Sequence, residues 1–155
     1  MLRETIERRL HFSPEQLFDL VADVERYPEF LRWWIAARIG ERHANVYYTD
    51  QALGLGPIRI RFTSKTVLHR PRSIDVTSDD SVFRHFKLIW LFNSEPDDGC
   101  RVGLTVELEL RSRLLQAMAE HVLSNTPSDI VEAFEARARR LYGRLSGQGT
   151  HSLSI

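Results

Sequence analysis

Cysteine and long apolar runs are both scarce in this chain. Cys100 is the only cysteine among 155 residues, which excludes an internal disulfide and a zinc site built from several cysteines. No segment reaches the roughly 18 uninterrupted apolar residues of a membrane-spanning helix, and the first residues show no apolar stretch of signal-peptide length. We therefore expect a soluble intracellular protein, and the chain length fits one domain of the usual size.

The chain also lacks an excess of charge of either sign. It has 21 Lys and Arg residues against 21 Asp and Glu residues, so its formal net charge is zero. A protein that holds nucleic acid by bulk attraction carries a strongly basic surface. DNA is therefore not an expected partner.

Common catalytic and metal-binding motifs are missing as well. The sequence has no GxGxxG, P-loop, G-x-S-x-G or HExxH pattern. Its six histidines are scattered, and no two lie at the spacing of metal ligands. We therefore predict no catalytic residue, no metal site and no catalytic cofactor. His69 and His85, near predicted strand ends, are the histidines that could reach the mouth of a pocket.

The pattern of apolar residues predicts one sheet and a few helices. Residues 2–12 alternate as a half-buried strand does, and Ser13-Pro14-Glu15-Gln16 has the form of a helix start with a capping box. Pro28 ends this first helix or begins a second short one. Further along the chain the period becomes two, and strands are predicted at 35–43, 45–53, 58–69, 73–78, 86–94 and 100–110. Short turns between them indicate an antiparallel sheet with one apolar face.

A long C-terminal helix is predicted to cover that face. Apolar residues recur every three or four positions from Leu115 to Leu141. Pro127 either kinks one helix, or Thr126 caps a second helix with Pro127 at its first position. The expected fold is α+β, with about seven antiparallel strands curved around the C-terminal helix and two short helices after the first strand. Residues 1–144 form the domain, and 145–155 are expected to be a disordered tail.

A curved sheet that grips a helix leaves a pocket wherever the inner side chains do not fill the space. The even positions of the strand from Ile58 face inward, which places the hydroxyls of Ser64 and Thr66 there. These hydroxyls meet a ligand, or Ser64 bonds to backbone and Thr66 is simply a good strand former. The aromatic side chains are ligand wall or ordinary core. The candidate ligand-binding residues divide into a wall and a mouth. The predicted wall residues are Phe62, Trp90, Leu115, Met118 and Val122, the predicted mouth residues are Tyr27, Phe30, Trp33 and Trp34, and Ser64, Thr66 and Phe83 complete the set.

One window of the sequence departs from the neutral balance. Residues 51–74 contain five basic residues and no acid. Arg59, Arg61 and Lys65 share the outward parity, so they form a positive stripe. This stripe contacts lipid headgroups or RNA phosphates. Alternatively, it is a solvated face, or it pairs with Glu107 and Glu109 across the sheet.

Four stretches of the chain carry a family pattern: FDLVADVERYPEFLRW at 18–33, FTSK at 62–65, RSIDV at 72–76 and FEARA at 134–138. Together they resemble the coenzyme Q-binding START-domain proteins of the polyketide cyclase/dehydrase and lipid transport superfamily. The resemblance covers about residues 2–143, and the family includes toxins of ribosomal subunit association. Where that family often has Pro and then Trp-Cys after the Phe-Leu pair, this chain has Arg32, Trp33 and Trp34.

The resemblance implies a helix-grip fold and a hydrophobic small molecule as partner. We expect a non-enzymatic carrier for ubiquinone or a related isoprenoid lipid that supports respiratory electron transport or quinone biosynthesis. It would be cytoplasmic, either free or peripheral to the inner membrane. One alternative is a ribosome-binding, toxin-like protein that blocks subunit association. A second is a cyclase or dehydratase, which needs a positioned acid or base in the cavity.

Overall fold

The computed structural model describes residues 1–123 and 126–143. The predicted tail, residues 145–155, lies outside the described residues. The strands are β1 (Leu2–Leu10), β2 (Trp34–His43), β3 (Val46–Leu55), β4 (Ile58–His69), β5 (Ser73–Thr77), β6 (Phe83–Glu95) and β7 (Gly99–Leu110). The α-helices are α1 (Pro14–Ala22), α2 (Arg113–Val122) and α3 (Thr126–Ala138), with a 3₁₀ helix at Val24–Glu29 and a π-helical turn at Arg139–Gly143.

The described strands form one antiparallel sheet with the order β1-β7-β6-β5-β4-β3-β2. Its inner face is apolar because the strands alternate. On β4 the buried residues Ile60, Phe62, Ser64 and Thr66 alternate with exposed Arg59, Arg61, Thr63 and Lys65. The helices lie against the inner face, so the expected α+β helix-grip fold is confirmed.

Helix α1 begins as the sequence predicts. The Ser13 hydroxyl accepts a hydrogen bond from the Gln16 backbone N–H at 3.1 Å, and the Gln16 side chain accepts one from the Ser13 N–H at 3.0 Å. These two bonds satisfy backbone donors that the first turn leaves without helical partners. The local signal alone is therefore sufficient to place this helix.

The C-terminal segment is two helices and not one long helix. Helix α2 ends at Val122, and α3 begins at Thr126 with Pro127 in its first turn. A proline fits the first turn of a helix, where its missing N–H would have no partner anyway. Of the two arrangements left open by the sequence, the structure has the split helix.

Phe134 on α3 occupies the centre of the core. Its ring packs edge-on against Tyr27, Phe30 and Trp90, with centroid separations of 5.3, 5.1 and 5.1 Å. Each such aromatic pair contributes about 0.5–1.5 kcal/mol beyond the burial of its area. Phe134 therefore joins α3, the 3₁₀ helix and β6 in one cluster.

Two phenols close the end of α1. The Tyr27 hydroxyl donates to the Val21 carbonyl, and the Tyr47 hydroxyl donates to the Ala22 carbonyl at 2.8 Å. The last carbonyls of a helix need such partners when they are buried. Burial raises the pKa of Tyr47 to about 12 and also raises the pKa of Tyr27, because a phenolate loses its hydration there. Both side chains are therefore uncharged at neutral pH.

The importance of the inner face can be measured with one pair of leucines. Leu104 on β7 is 1% exposed and Leu91 on the outer face of β6 is 47% exposed. We expect Leu104→Ala to lower the free energy of unfolding by about 2–5 kcal/mol because it leaves a cavity. Leu91→Ala should cost about 1 kcal/mol or less. Urea denaturation measures both values, and equal losses would contradict the assignment of the two faces.

The buried Tyr47 phenol predicts a loss of stability in alkali. Above pH 10 the unfolded chain releases this proton while the folded protein retains it until about pH 12, so stability falls as pH rises through this window. We expect Tyr47→Phe to be less stable at pH 7, because the Ala22 carbonyl loses its partner. Its decline above pH 10 should be shallower, by about 1 kcal/mol per pH unit.

Urea midpoints at pH 8, 10, 10.5 and 11 measure that slope. Tyr48→Phe is the matched control, because Tyr48 is the next residue on β3 and faces outward beside Lys65. An unchanged slope in Tyr47→Phe would show that this phenol does not contribute to the alkaline transition.

Candidate functional site

Two neighbouring cavities lie between the inner face of the sheet and α3. The larger has a volume of about 60 Å³ and the smaller about 30 Å³. Trp34, Phe86, Leu88 and Ile130 line both of them. The two spaces are thus parts of one region of incomplete packing.

The larger cavity is apolar. Its wall comes from β2, β3, β4, β6, β7, the end of α2 and the start of α3, and Thr126 is the one polar residue among its lining residues. The Thr126 hydroxyl has no hydrogen-bond partner within the described chain. Apart from this one hydroxyl, the space suits hydrocarbon.

The smaller cavity has a polar corner. Among its lining residues the polar side chains are those of Tyr27, Tyr47, Gln51 and Thr66. The opposite wall contains Trp90 and other apolar residues of the core. No Asp, Glu, Lys, Arg or His is among the lining residues of either cavity, so the site offers no side chain that would act as an acid or base near neutral pH.

Gln51 is the centre of a hydrogen-bond network that the sequence analysis missed. The Trp34 indole N–H donates to Gln51 Oε1 at 2.7 Å, and Gln51 Nε2 donates to Ser64 Oγ at 2.7 Å. Gln51 lies on the inner face of β3, directly opposite Phe62 on β4. The parity of β3 could have revealed it, because Gln51 shares a face with buried Tyr47 and Thr49.

Six of the twelve candidate ligand-binding residues line a cavity. They are Tyr27, Trp33, Trp34, Thr66, Phe83 and Trp90. Phe62 and Ser64 are buried on the same inner face, where Phe62 packs on Phe83 and Phe86, and Ser64 supports Gln51. Their contact with a ligand stays a prediction.

At the predicted mouth, Phe30 contacts two residues of α3. Phe30 packs on Phe134, and the Arg137 guanidinium lies 5.1 Å from the centre of the Phe30 ring. Arg137 also donates to Glu29 at 2.6 Å, and this hydrogen bond lowers the pKa of the Glu29 carboxyl. The segment between the 3₁₀ helix and β2 is thus held closed against α3.

Helix α2 is the most lightly attached cover of the site. Its predicted wall residues do not line either cavity: Leu115 and Met118 are half-buried, and Val122 is 37% exposed. Leu114 is 71% exposed, and Ala119 is the one buried residue of the helix itself. The α2 end of the site is therefore its weakest wall.

The basic stripe, Arg59, Arg61 and Lys65, lies on the outer face of β4. Its predicted pairing with Glu107 and Glu109 is wrong, because β5 and β6 separate β4 from β7. Glu107 instead contacts Arg3 and His85. No ion pair of the stripe residues occurs within residues 1–123 and 126–143. All three side chains are exposed, and Arg61 lines a surface groove together with Asp50 and Asp80.

His69 and His85 do not reach the cavities. Among the described residues no group of acids, histidines and cysteines has the arrangement of a metal site. None of the helices in the described ranges is long and apolar enough to cross a bilayer.

Known proteins resemble this chain in both sequence and fold. A ribosome association toxin, RatA of Pseudomonas aeruginosa, is 30% identical over 134 residues, which cover 86% of this chain and 93% of that protein. The mitochondrial coenzyme Q-binding protein COQ10 homolog B of Xenopus laevis is 31% identical over 141 residues, which cover 87% of this chain and 57% of that protein.

A solved structure of a START superfamily protein from Mycobacterium smegmatis superposes with a TM-score of 0.76 at 14% identity. The superposition covers 90% of this chain and 98% of that one, which shows a shared fold. Residues 10–135 match the family model described as polyketide cyclase / dehydrase and lipid transport. The chain therefore belongs to the polyketide cyclase/dehydrase and lipid transport family.

Proposed function

We propose that this protein is a non-enzymatic carrier of ubiquinone or a related isoprenoid lipid. It would support respiratory electron transport or quinone biosynthesis. The observation that carries the proposal is the cavity region between sheet and α3, whose lining residues include no charged side chain or histidine. A cyclase or dehydratase would need a positioned acid or base there. The coenzyme Q-binding relative supports the choice of a quinone.

The size of the cavities determines how such a ligand enters. Pockets for drug-sized molecules measure about 300–1,000 Å³, whereas these cavities measure about 60 and 30 Å³. Binding therefore requires one wall to move. Helix α2 is the wall that moves with the smallest loss of packing, because it buries Ala119 and leaves Leu114 exposed.

The energy for this opening comes from the ligand's own surface. Moving apolar area out of water releases about 25 cal/mol per Å². A prenyl chain laid along Val106, Leu108 and Ile130 would gain this term, and it requires no charged group on the protein. On the outside of the sheet, the basic stripe would hold the carrier against an anionic membrane.

The carrier proposal predicts that filling the larger cavity prevents binding. Val106 on β7 lines that cavity and is 7% exposed, so Val106→Phe places a ring where the ligand would lie. We expect wild type purified from a quinone-producing host to yield quinone or another prenyl lipid on extraction and mass spectrometry. Val106→Phe should yield at least tenfold less, and it should remain folded at a cost of about 1–3 kcal/mol.

Leu91→Phe is the control, because it adds a ring of the same size to the outer face of the sheet. This variant should retain the wild-type amount of lipid. If wild type yields no lipid and takes up no added quinone, the carrier proposal is wrong.

A second candidate function is binding to ribosomal subunits in a way that blocks their association. The observation that favours it is the exposed basic stripe, which lies on the outer face and has no ion pair within the described residues. The relation to RatA extends over most of both chains. Phosphate groups of RNA are the natural partners of such residues.

This second function predicts an effect of charge reversal at the stripe. Changing Arg59, Arg61 and Lys65 to Glu should abolish co-sedimentation with free subunits at low salt and restore the 70S fraction in cells that overexpress the protein. The control changes Arg113, Arg139 and Arg140 to Glu, three exposed basic residues outside the stripe, with the same change in net charge. Equal effects of both triple variants would show non-specific attraction, and no co-sedimentation of wild type would exclude this function.

A further inference from the structure

We propose that the Gln51 carboxamide, held in place by Trp34, orients the ligand and selects for molecules with an uncharged hydrogen-bond-accepting oxygen at one end. The inference rests on the proposed carrier function and names the residue that would donate a hydrogen bond to the polar end of the ligand. It follows from the hydrogen bonds that the polar side chains of the smaller cavity already make.

The orientation of the amide is determined by its neighbour. An indole nitrogen can only donate, so the atom of Gln51 that lies 2.7 Å from Trp34 Nε1 must be the oxygen. The nitrogen then faces Ser64 Oγ at 2.7 Å. An amide nitrogen has two protons, and the described structure gives this nitrogen one acceptor. Gln51 therefore retains one N–H for a ligand.

The other polar groups of the smaller cavity are mostly engaged. The single protons of the Tyr27 and Tyr47 hydroxyls go to the carbonyls of Val21 and Ala22. The Thr66 hydroxyl lies within hydrogen-bonding reach of the Tyr47 phenol oxygen. Of the four polar side chains at the corner, this leaves Gln51 as the donor with a proton for the cavity, and it is buried at 8% exposure.

A buried donor without a partner is unfavourable, so an incoming oxygen is bound in preference to a methyl group. A carboxylate or phosphate would instead lie in a cavity that offers no counter-charge, which is a heavily disfavoured arrangement. The matching ligand class is a neutral lipid with a ketone, quinone, ester or ether oxygen. Its apolar part would extend past Phe86, Leu88 and Ile130, which line both cavities, toward the larger cavity.

Trp34 is a positioning residue in this scheme, because its indole fixes which end of the Gln51 amide faces Ser64. Without that indole N–H, the amide can turn and present its oxygen instead of its N–H. Trp34→Phe should therefore weaken the preference for an accepting head while it keeps an aromatic ring in the wall of both cavities.

The test is a competition between two probes that share a ten-carbon tail. Decylubiquinone carries carbonyl oxygens on its ring, and decylbenzene carries none. Each protein is equilibrated with an equimolar mixture of both in detergent and passed through gel filtration, and the retained molecules are counted by mass spectrometry. Circular dichroism and urea denaturation verify that every variant is folded.

We expect wild type to retain decylubiquinone in excess. In Gln51→Leu the ratio of the two probes should fall about five- to tenfold, with total occupancy unchanged, because one charge-neutral hydrogen bond is lost. Thr66→Val and Trp34→Phe should lower the ratio less. Thr63→Val, on the outward face of the same strand, should leave it at the wild-type value.

The outcomes separate this inference from the carrier proposal. An unchanged ratio in Gln51→Leu, or an equal loss of both probes, would overturn the role of Gln51 while carriage itself stands. If wild type retains neither probe and contains no lipid after purification, the carrier proposal and this inference fail together.

Discussion

The concave face of the sheet must be covered, and the chain covers it with short helices. Strands β4, β5, β6 and β7 all place apolar side chains on that face. An apolar sheet face left exposed to water would be unstable. Helices α1 and α3 cover most of it, with Phe134 anchored on Trp90. Helix α2 covers the remainder with little buried surface of its own. Because three short helices share this face, cavities remain beneath them and α2 is only lightly packed.

The same geometry separates polarity from charge. Side chains on the inner face are apolar or neutral, and some of their hydrogen bonds are made within the protein, as in the chain from Trp34 through Gln51 to Ser64. Charged side chains lie on the outer face. A single strand contributes to both surfaces: β4 places Thr66 inward and Lys65 outward. The two proposed binding surfaces, one for a neutral lipid and one for an anionic partner, therefore lie on opposite faces of the same strand.

Features that depend on local sequence could be predicted from it. The Ser13 capping box and the parity of β4 need only neighbours in the chain, and both are confirmed. Features that depend on strand order could not. The stripe does not meet Glu107, because two strands intervene. The parity of β3 places Gln51 on the inner face, but its bonds to Trp34 and Ser64 depend on β2 and β4 lying on either side of β3. The apolar period of Leu115 and Met118 continues through Thr126, so periodicity alone does not reveal that the helix divides there or that these two residues miss the cavities.

The larger cavity is lined by Leu123, at the end of α2, and by Thr126 and Ile130, at the start of α3. Whatever occupies it touches both helices at the point where they part. Occupancy and the position of α2 are then thermodynamically linked, and the linkage is reciprocal. A surface or partner that draws α2 away must change the affinity for the occupant by the same factor by which the occupant changes the affinity for that partner. A measurement of either change in affinity therefore also gives the other.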